Sequence, residues 1–225
     1  MAEFAISGPR GNKNAPWTIW EAWARIPCRD PEVPLMSMPA HALNVAVASP
    51  PTSYTKVAVA MHWLIALLIF LNVGLGFFME TFPKKAPGHD EVLFYHASFG
   101  SLIFMLAVFR LFWRSTHKPP VLPSTIPAWQ RGLAHTLHWV LYSLMLLVPL
   151  TGYLHRMAGG HPVSFFGLGN LPVLIGKDEP LRLLTDTLHV SLVWVLCTLV
   201  VGHIGAALKH RLIDRDGVIQ RMLRA

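Results

Sequence analysis

The sequence predicts an all-α fold, a transmembrane four-helix bundle with both termini on the cytoplasmic side. Three observations carry that expectation. The chain is 53% hydrophobic and only 14% charged, with a mean hydropathy of +0.44, well to the apolar side of soluble domains. Four stretches, 57–79, 92–109, 132–154 and 187–208, contain no Asp, Glu, Lys or Arg. Each is close to the ~20 residues that a spanning helix needs. Finally, fourteen of the nineteen Lys and Arg residues fall on one side of the spans that these stretches define.

Residues 1–52 differ in kind from the rest. They hold eight of the eighteen prolines, and Trp17, Trp20 and Trp23 recur at three-residue intervals. No basic n-region leads into a continuous apolar run with a small-residue cleavage site, so the segment does not read as a secretory signal. It reads as a Pro-rich extension. Either it is a disordered tail, with a short interfacial helix around the tryptophans as a variant, or it lies upstream of the true start, with Met36 and Met38 as alternative initiators. The domain proper is then 53–213, and a basic cytoplasmic tail occupies 214–225.

The first span enters from the cytoplasm and carries His62 in Met61-His62-Trp63. The second carries His96 near its beginning, and residues 114–130, with Pro119, Pro120, Pro123 and Pro127, read as an extended cytoplasmic linker. The third opens with His135 and His138, which suit hydrogen bonds to backbone or to a cofactor carboxylate better than ligation. From His155 to Leu184 runs a thirty-residue connection containing Gly159-Gly160 and Phe165-Phe166-Gly167. A connection of that length is functional or lies along the membrane surface. The fourth span carries His189 and His203. Four buried helices of a soluble domain would each show a polar stripe, and these show little beyond histidine and small residues.

Orientation follows from the charges. With both termini inside, the cytoplasmic side receives Lys56, Arg110, Arg114, Lys118, Arg131 and the cluster from Lys209 to Arg224, together with the four basic residues of the extension. The opposite side keeps Lys84, Lys85, Arg156, Lys177 and Arg182, accompanied by Glu80, Asp90, Glu91, Asp178 and Glu179. This is the positive-inside pattern. The net charge of +7 is thus a matter of topology and of attraction to anionic lipid, and nucleic acid is not an expected partner.

The chemistry lies in four histidines. His189 and His203 are fourteen residues apart, about 1400° of helix or four turns less roughly 40°, so both face one way about 21 Å apart along the axis. Depth pairs His62 with His203 near the cytoplasmic surface and His96 with His189 near the other. Ionisable groups inside a bilayer are costly and tend to be functional. No C-x-x-C-H occurs for covalent haem attachment, and Cys28 and Cys197 are too few for an iron–sulfur cluster. Zinc wants three or four ligands, whereas each site offers two facing imidazoles, the set for a b-type haem. The metal ligands expected are therefore His62, His96, His189 and His203, holding two b haems. Gly100 clears the turn after His96, and Gly74, Gly76, Gly152 and Gly202 serve either that approach or helix packing. Arg110 and Arg114 are placed to pair with propionates or to anchor the cytoplasmic surface.

Taken in order, these residues resemble the bacterial cytochrome b561 family. The resemblance rests on Met61-His62-Trp63, His96-x-Ser98-x-Gly100 with Arg110 and Trp113-Arg114, Gly132-Leu133-Ala134-His135, Leu141-Tyr142 and Pro149-Leu150-Thr151-Gly152. Phe166-Gly167, His189…His203-x-x-Ala206-Ala207-Leu208-x-His210, Asp216-Gly217 and Arg221-Met222 extend it to about residues 53–223. It implies a four-helix inner-membrane cytochrome with two b haems on His62, His96, His189 and His203. It further implies exchange of electrons with the quinone pool and, for some relatives, oxidation of superoxide at the periplasmic face, a superoxide:quinone oxidoreductase activity. The periplasmic donor is left open, and a homodimer is compatible with the sequence. The main alternative is a cytochrome b anchor subunit of a larger dehydrogenase, such as a hydrogenase or formate dehydrogenase. A histidine-lined metal transporter is disfavoured by the lack of a polar path, and a haem-free structural protein by the matched depths.

Overall fold

The structure, a computed structural model, describes residues 53–223 except Phe82, Lys84, Lys85 and Ser124; the Pro-rich extension expected over 1–52 lies outside the described residues. Four long helices, α1 (Lys56–Glu80), α2 (His89–Thr116), α3 (Ala128–Ala158) and α4 (Glu179–Lys209), are followed by one π-helical stretch (His210–Asp214) and a short α5 (Gln220–Leu223). The long helices hold 25 to 31 residues, or about 38 to 47 Å at 1.5 Å per residue, enough to cross a ~30 Å hydrocarbon core. Their most apolar windows have hydropathies of 1.5 to 2.2, yet at most 22% of any window is buried. Leu67, Phe70 and Val201 stand well over half exposed on the outer faces. Apolar side chains turned outward on every helix are what lipid requires and water opposes.

The helices pack in chain order, α1 on α2, α2 on α3 and α3 on α4, the arrangement short antiparallel connections favour. Ile65 and Leu68 of α1, Ile103 and Ala107 of α2, Tyr142 and Leu144 of α3 and Leu196 of α4 fill the interior. Thr55 caps α1 by accepting from the Ala58 amide at 3.2 Å, and its hydroxyl oxygen also accepts from Trp113 Nε1 at 3.0 Å. This ties the start of α1 to the end of α2. The tail folds back to the same end: Trp63 Nε1 donates to the Met222 carbonyl and Arg221 to that of Val121, both at 2.8 Å. We call this end of the bundle, where both ends of the described chain meet, proximal, and the other distal.

The distal connection is shorter than its sequence suggests. Helix α3 continues to Ala158, and α4 begins at Glu179, leaving 159–178 irregular. The early start has a local cause. Asp178 accepts from the Leu181 amide at 2.9 Å, Pro180 lies in the first turn, and a carboxylate cap followed by Pro is a strong helix start. The connection is bolted to α2 by Ser98, which is fully buried. Its hydroxyl donates to the Ser164 carbonyl and accepts from the Phe166 amide, both at 3.1 Å, while Phe166 packs edge-on against Phe99 at 5.1 Å. Phe166 and Gly167 both take positive φ, +50° and +75°, which turns the chain there; glycine adopts this readily and phenylalanine does not.

Removing that bolt leaves a partly buried N–H and C=O without their partner, at a cost of about 1 kcal/mol or more. Ser98→Ala is expected to lower the melting temperature in detergent by several degrees and to raise amide exchange across 159–178. An unchanged melting temperature and exchange pattern would show that the loop is held by other contacts.

Candidate functional site: two facing histidine pairs

The structure brings the four sequence-predicted histidines together in the two pairs that depth implies. Near the proximal end the rings of His62 on α1 and His203 on α4 face each other with centroids 6.3 Å apart and planes at 74°. Near the distal end His96 on α2 and His189 on α4 do the same at 6.1 Å and 89°. A histidine–metal bond is about 2 Å and a ring centroid lies about 1.1 Å behind its nitrogen, so trans imidazoles on one metal have centroids roughly 6 Å apart. Edge-to-face ring packing covers the same range, so the nitrogens' partners matter more than the distance alone.

At the distal pair those partners are backbone carbonyls. His96 Nδ1 lies 3.0 Å from the Asn72 carbonyl oxygen, and His189 Nδ1 lies 2.9 Å from that of Val148. A carbonyl can only accept, so in each ring Nδ1 carries the proton and donates, and Nε2 keeps its lone pair for a metal. One local device builds both contacts. Asn72 and Val148 are each followed four residues later by a glycine, Gly76 and Gly152, on the same helix face. A Cβ on Gly76 would stand 3.2 Å from His96 Cε1, and one on Gly152 would stand 2.9 Å from His189 Cε1. The missing side chain is the gap through which each imidazole reaches its carbonyl. Gly74 and Gly202 meet nothing within 4 Å, and a Cβ on Gly100 would meet only Asn72 Nδ2 at 3.4 Å. The glycines that the imidazoles require are therefore Gly76 and Gly152.

The proximal pair has different neighbours. Arg110 Nη2 is 3.3 Å from His62 Nδ1, and its Nε donates to Tyr142 Oη at 3.1 Å. Arg114 lies over the rings of Trp139 and Tyr142 at 5.8 and 5.5 Å. His138 stands edge-on to His203 with centroids 5.4 Å apart, whereas His135 accepts from Trp139 Nε1 at 3.1 Å. The proximal site is thus a cluster of three imidazoles under two guanidinium groups. Sequence reasoning placed the arginines at this end but missed the contact of Arg110 with a ring nitrogen, and it gave His138 no place beside His203.

Beside the distal pair lies a cavity of about 480 Å³ bordered by Asp90, Phe94, Arg156, His161, Ser164 and Asn170. Phe94 and Ala97, which also lines it, flank His96 in sequence. Arg156 Nε is buried there with no hydrogen-bond partner among the described residues. His155 is turned to α4 instead, with Nδ1 3.1 Å from the Arg182 carbonyl.

Taken together, the two sites fit b-type haem. Each pair would offer two imidazoles to one metal, the distal rings keep Nε2 free of a proton, and glycines stand where a side chain would intrude. Comparison with known proteins points the same way. The sequence model of the family described as Prokaryotic cytochrome b561 matches residues 53–225. Cytochrome b561 homolog 2 of Escherichia coli (strain K12) is 34% identical over 174 residues, covering 77% of this chain and 92% of its own length. Cytochrome b561 homolog 1 of the same organism is 26% identical, covering 76% and 96%. The probable superoxide oxidase CybB of Yersinia pestis is 26% identical, covering 76% and 95%.

Gly152→Ala is expected to push the His189 ring off the Val148 carbonyl and to cut the haem content of the purified protein. Gly202→Ala, on the same bundle and with open space at its Cβ, is expected to leave that content unchanged. Equal haem content in the two variants would remove the gap from the account.

Proposed function

The chain belongs to the prokaryotic cytochrome b561 family and is accordingly a bacterial membrane cytochrome of b type that transfers electrons; from that premise we propose that it carries single electrons across the inner membrane through two haems. His62 and His203 would hold one, His96 and His189 the other. The observation that carries this reading is the repeated pairing of imidazoles across the bundle, with centroids 6.3 and 6.1 Å apart, near the two ends of one helix.

A b haem held between two of these histidines would supply a one-electron couple. The chain's own groups do the rest. The Asn72 and Val148 carbonyls orient the distal imidazoles, and Arg110 and Arg114 offer the guanidinium donors that suit propionate carboxylates. His189 and His203 sit about 21 Å apart along α4 by the helix rise, and groups held at both would lie within one bundle for electron passage. Lys56, Arg110, Arg114 and Lys209 lie at the proximal end, which under the positive-inside rule makes that end cytoplasmic. Quinone in the membrane is the proposed acceptor, and the donor acts on the periplasmic, distal side. Superoxide is the proposed donor: the distal cavity is lined by Arg156 and His161 as well as Asp90, and Arg156, whose Nε has no hydrogen-bond partner among the described residues, is the group there that would meet a small anion. The likeness to a probable superoxide oxidase supports the same choice.

Two measurements test the reading. Purified wild-type protein is expected to bind two haems per chain, and His189→Ala and His62→Ala to bind one each; two haems retained in either variant would sink the ligand assignment. Superoxide generated in the assay is expected to reduce the oxidised protein, and a soluble ubiquinone analogue to reoxidise it. If Arg156→Gln slows the first step and spares the second, the distal cavity is where the donor enters. If superoxide leaves the haems oxidised, another donor must be sought.

A further inference from the structure

The connection between α3 and α4 carries an unusual combination of features. The twenty residues between Arg156 and Lys177 include no Asp, Glu, Lys or Arg, where ordinary composition would place about five. Within them a small hairpin closes on an antiparallel bridge between Ser164 and Asn170. Its apolar side chains stand outward: Leu168 is 84% exposed, Val173 68% and Leu174 64%. The backbone beneath them is largely paired inside the protein. The Leu171 amide donates to the Val163 carbonyl at 2.8 Å, and those of Phe165 and Leu168 donate to the Gly169 and Phe165 carbonyls at 2.9 Å. Ser98 serves the Ser164 carbonyl and the Phe166 amide, and Tyr153 donates to the Pro172 carbonyl. The Leu174 amide turns to the Met157 sulfur at 3.2 Å, a weak acceptor. Apolar side chains outside a self-paired backbone are what lipid demands, because an unpaired N–H or C=O is costly there. A loop in water needs neither.

The two side chains that hold the hairpin set its depth. The uncharged stretch 92–109 of α2 runs about 27 Å, close to the ~30 Å hydrocarbon core. Ser98 lies six residues in from the distal end of that stretch, about 9 Å by the helix rise, and pins the hairpin there. Tyr153 stands at the distal end of the uncharged stretch 132–154, at the interfacial level that tyrosine favours. We propose that the hairpin 163–174 is a re-entrant element seated in the headgroup and upper acyl region of the distal leaflet, with Leu168, Val173 and Leu174 against phospholipid chains. Lipid is the occupant because the hairpin packs on α2 and α3, whose own outer faces carry exposed Met105 and Leu147. Lys177, Asp178 and Glu179 then return the chain to water. Val163, Ser164 and Asn170 line the distal cavity, so one short element borders both that cavity and the membrane. This inference rests on the membrane placement of the bundle and is independent of what the histidines hold.

The test is nitroxide labelling of the full chain in phosphatidylcholine vesicles, in a background carrying Cys28→Ser and Cys197→Ser. Labels are placed through Leu168→Cys, Val173→Cys and, as the water-facing reference, Lys177→Cys, each variant checked for wild-type circular dichroism. Power saturation then compares collisions with oxygen, which partitions into lipid, against collisions with a water-soluble nickel chelate present on both sides of the bilayer. The ratio of oxygen to nickel collisions is expected to be several-fold higher at 168 and 173 than at 177. Positions 168 and 173 lie on different parts of the hairpin, so either serves if the other variant does not fold. A ratio no higher than that at 177 would put the hairpin in water. Few collisions with either reagent would mean that another protein surface covers the patch. Each of these two results would overturn the proposal.

Discussion

An imidazole placed among hydrocarbon has no water to bond, so each of its nitrogens must find a partner inside the protein. Much of this bundle follows from that constraint. At the distal pair the outward nitrogens are satisfied by main-chain carbonyls of the neighbouring helices, and the helices must come close enough for a ring to reach them. Close approach needs a glycine one turn beyond each carbonyl, Gly76 beyond Asn72 and Gly152 beyond Val148. The same two bonds fix the tautomer, turn Nε2 inward and hold α1 to α2 and α3 to α4. Packing, tautomer and site geometry are consequences of one contact made twice.

At the proximal pair the neighbours are side chains. There the ring nitrogen of His62 faces a cation held by a phenol, and His138 adds a third imidazole against His203. The arginines serve topology and local structure together: the positive-inside rule brings basic residues to this surface, and Arg110, one turn deeper than Arg114, reaches the histidine cluster. The tail reinforces this end, since Trp63, next to His62, is bonded to the Met222 carbonyl.

The spans were legible in the sequence because lipid leaves little choice of residue, and the pairing because fourteen residues of helix bring His189 and His203 to one face. Other features were legible only in part. From sequence Gly74, Gly76, Gly152 and Gly202 look alike, since helix packing also selects small residues; only the neighbouring helix decides which two face an imidazole. A glycine four residues after the carbonyl partner was the available signal, and it becomes readable once the facing histidine is known. The Ser98 bolt joins residues 66 and 68 apart in sequence, beyond any local pattern. The early start of α4 was visible in Asp178 and Pro180, but charged residues at 179, 182 and 186 hid it from a reading based on hydropathy. Arg110 was found, and its partner was not, because an arginine side chain is long enough to reach either the surface or a ring one turn inward.

Low-temperature electron paramagnetic resonance of the oxidised, purified protein tests the central claim, two b haems each held between two histidines, most directly. The account predicts low-spin ferric signals only, integrating to two per chain, as two axial imidazoles on each iron require. A substantial high-spin ferric signal, or a low-spin intensity of one per chain, would mean that at least one histidine pair does not close on a haem and would contradict it.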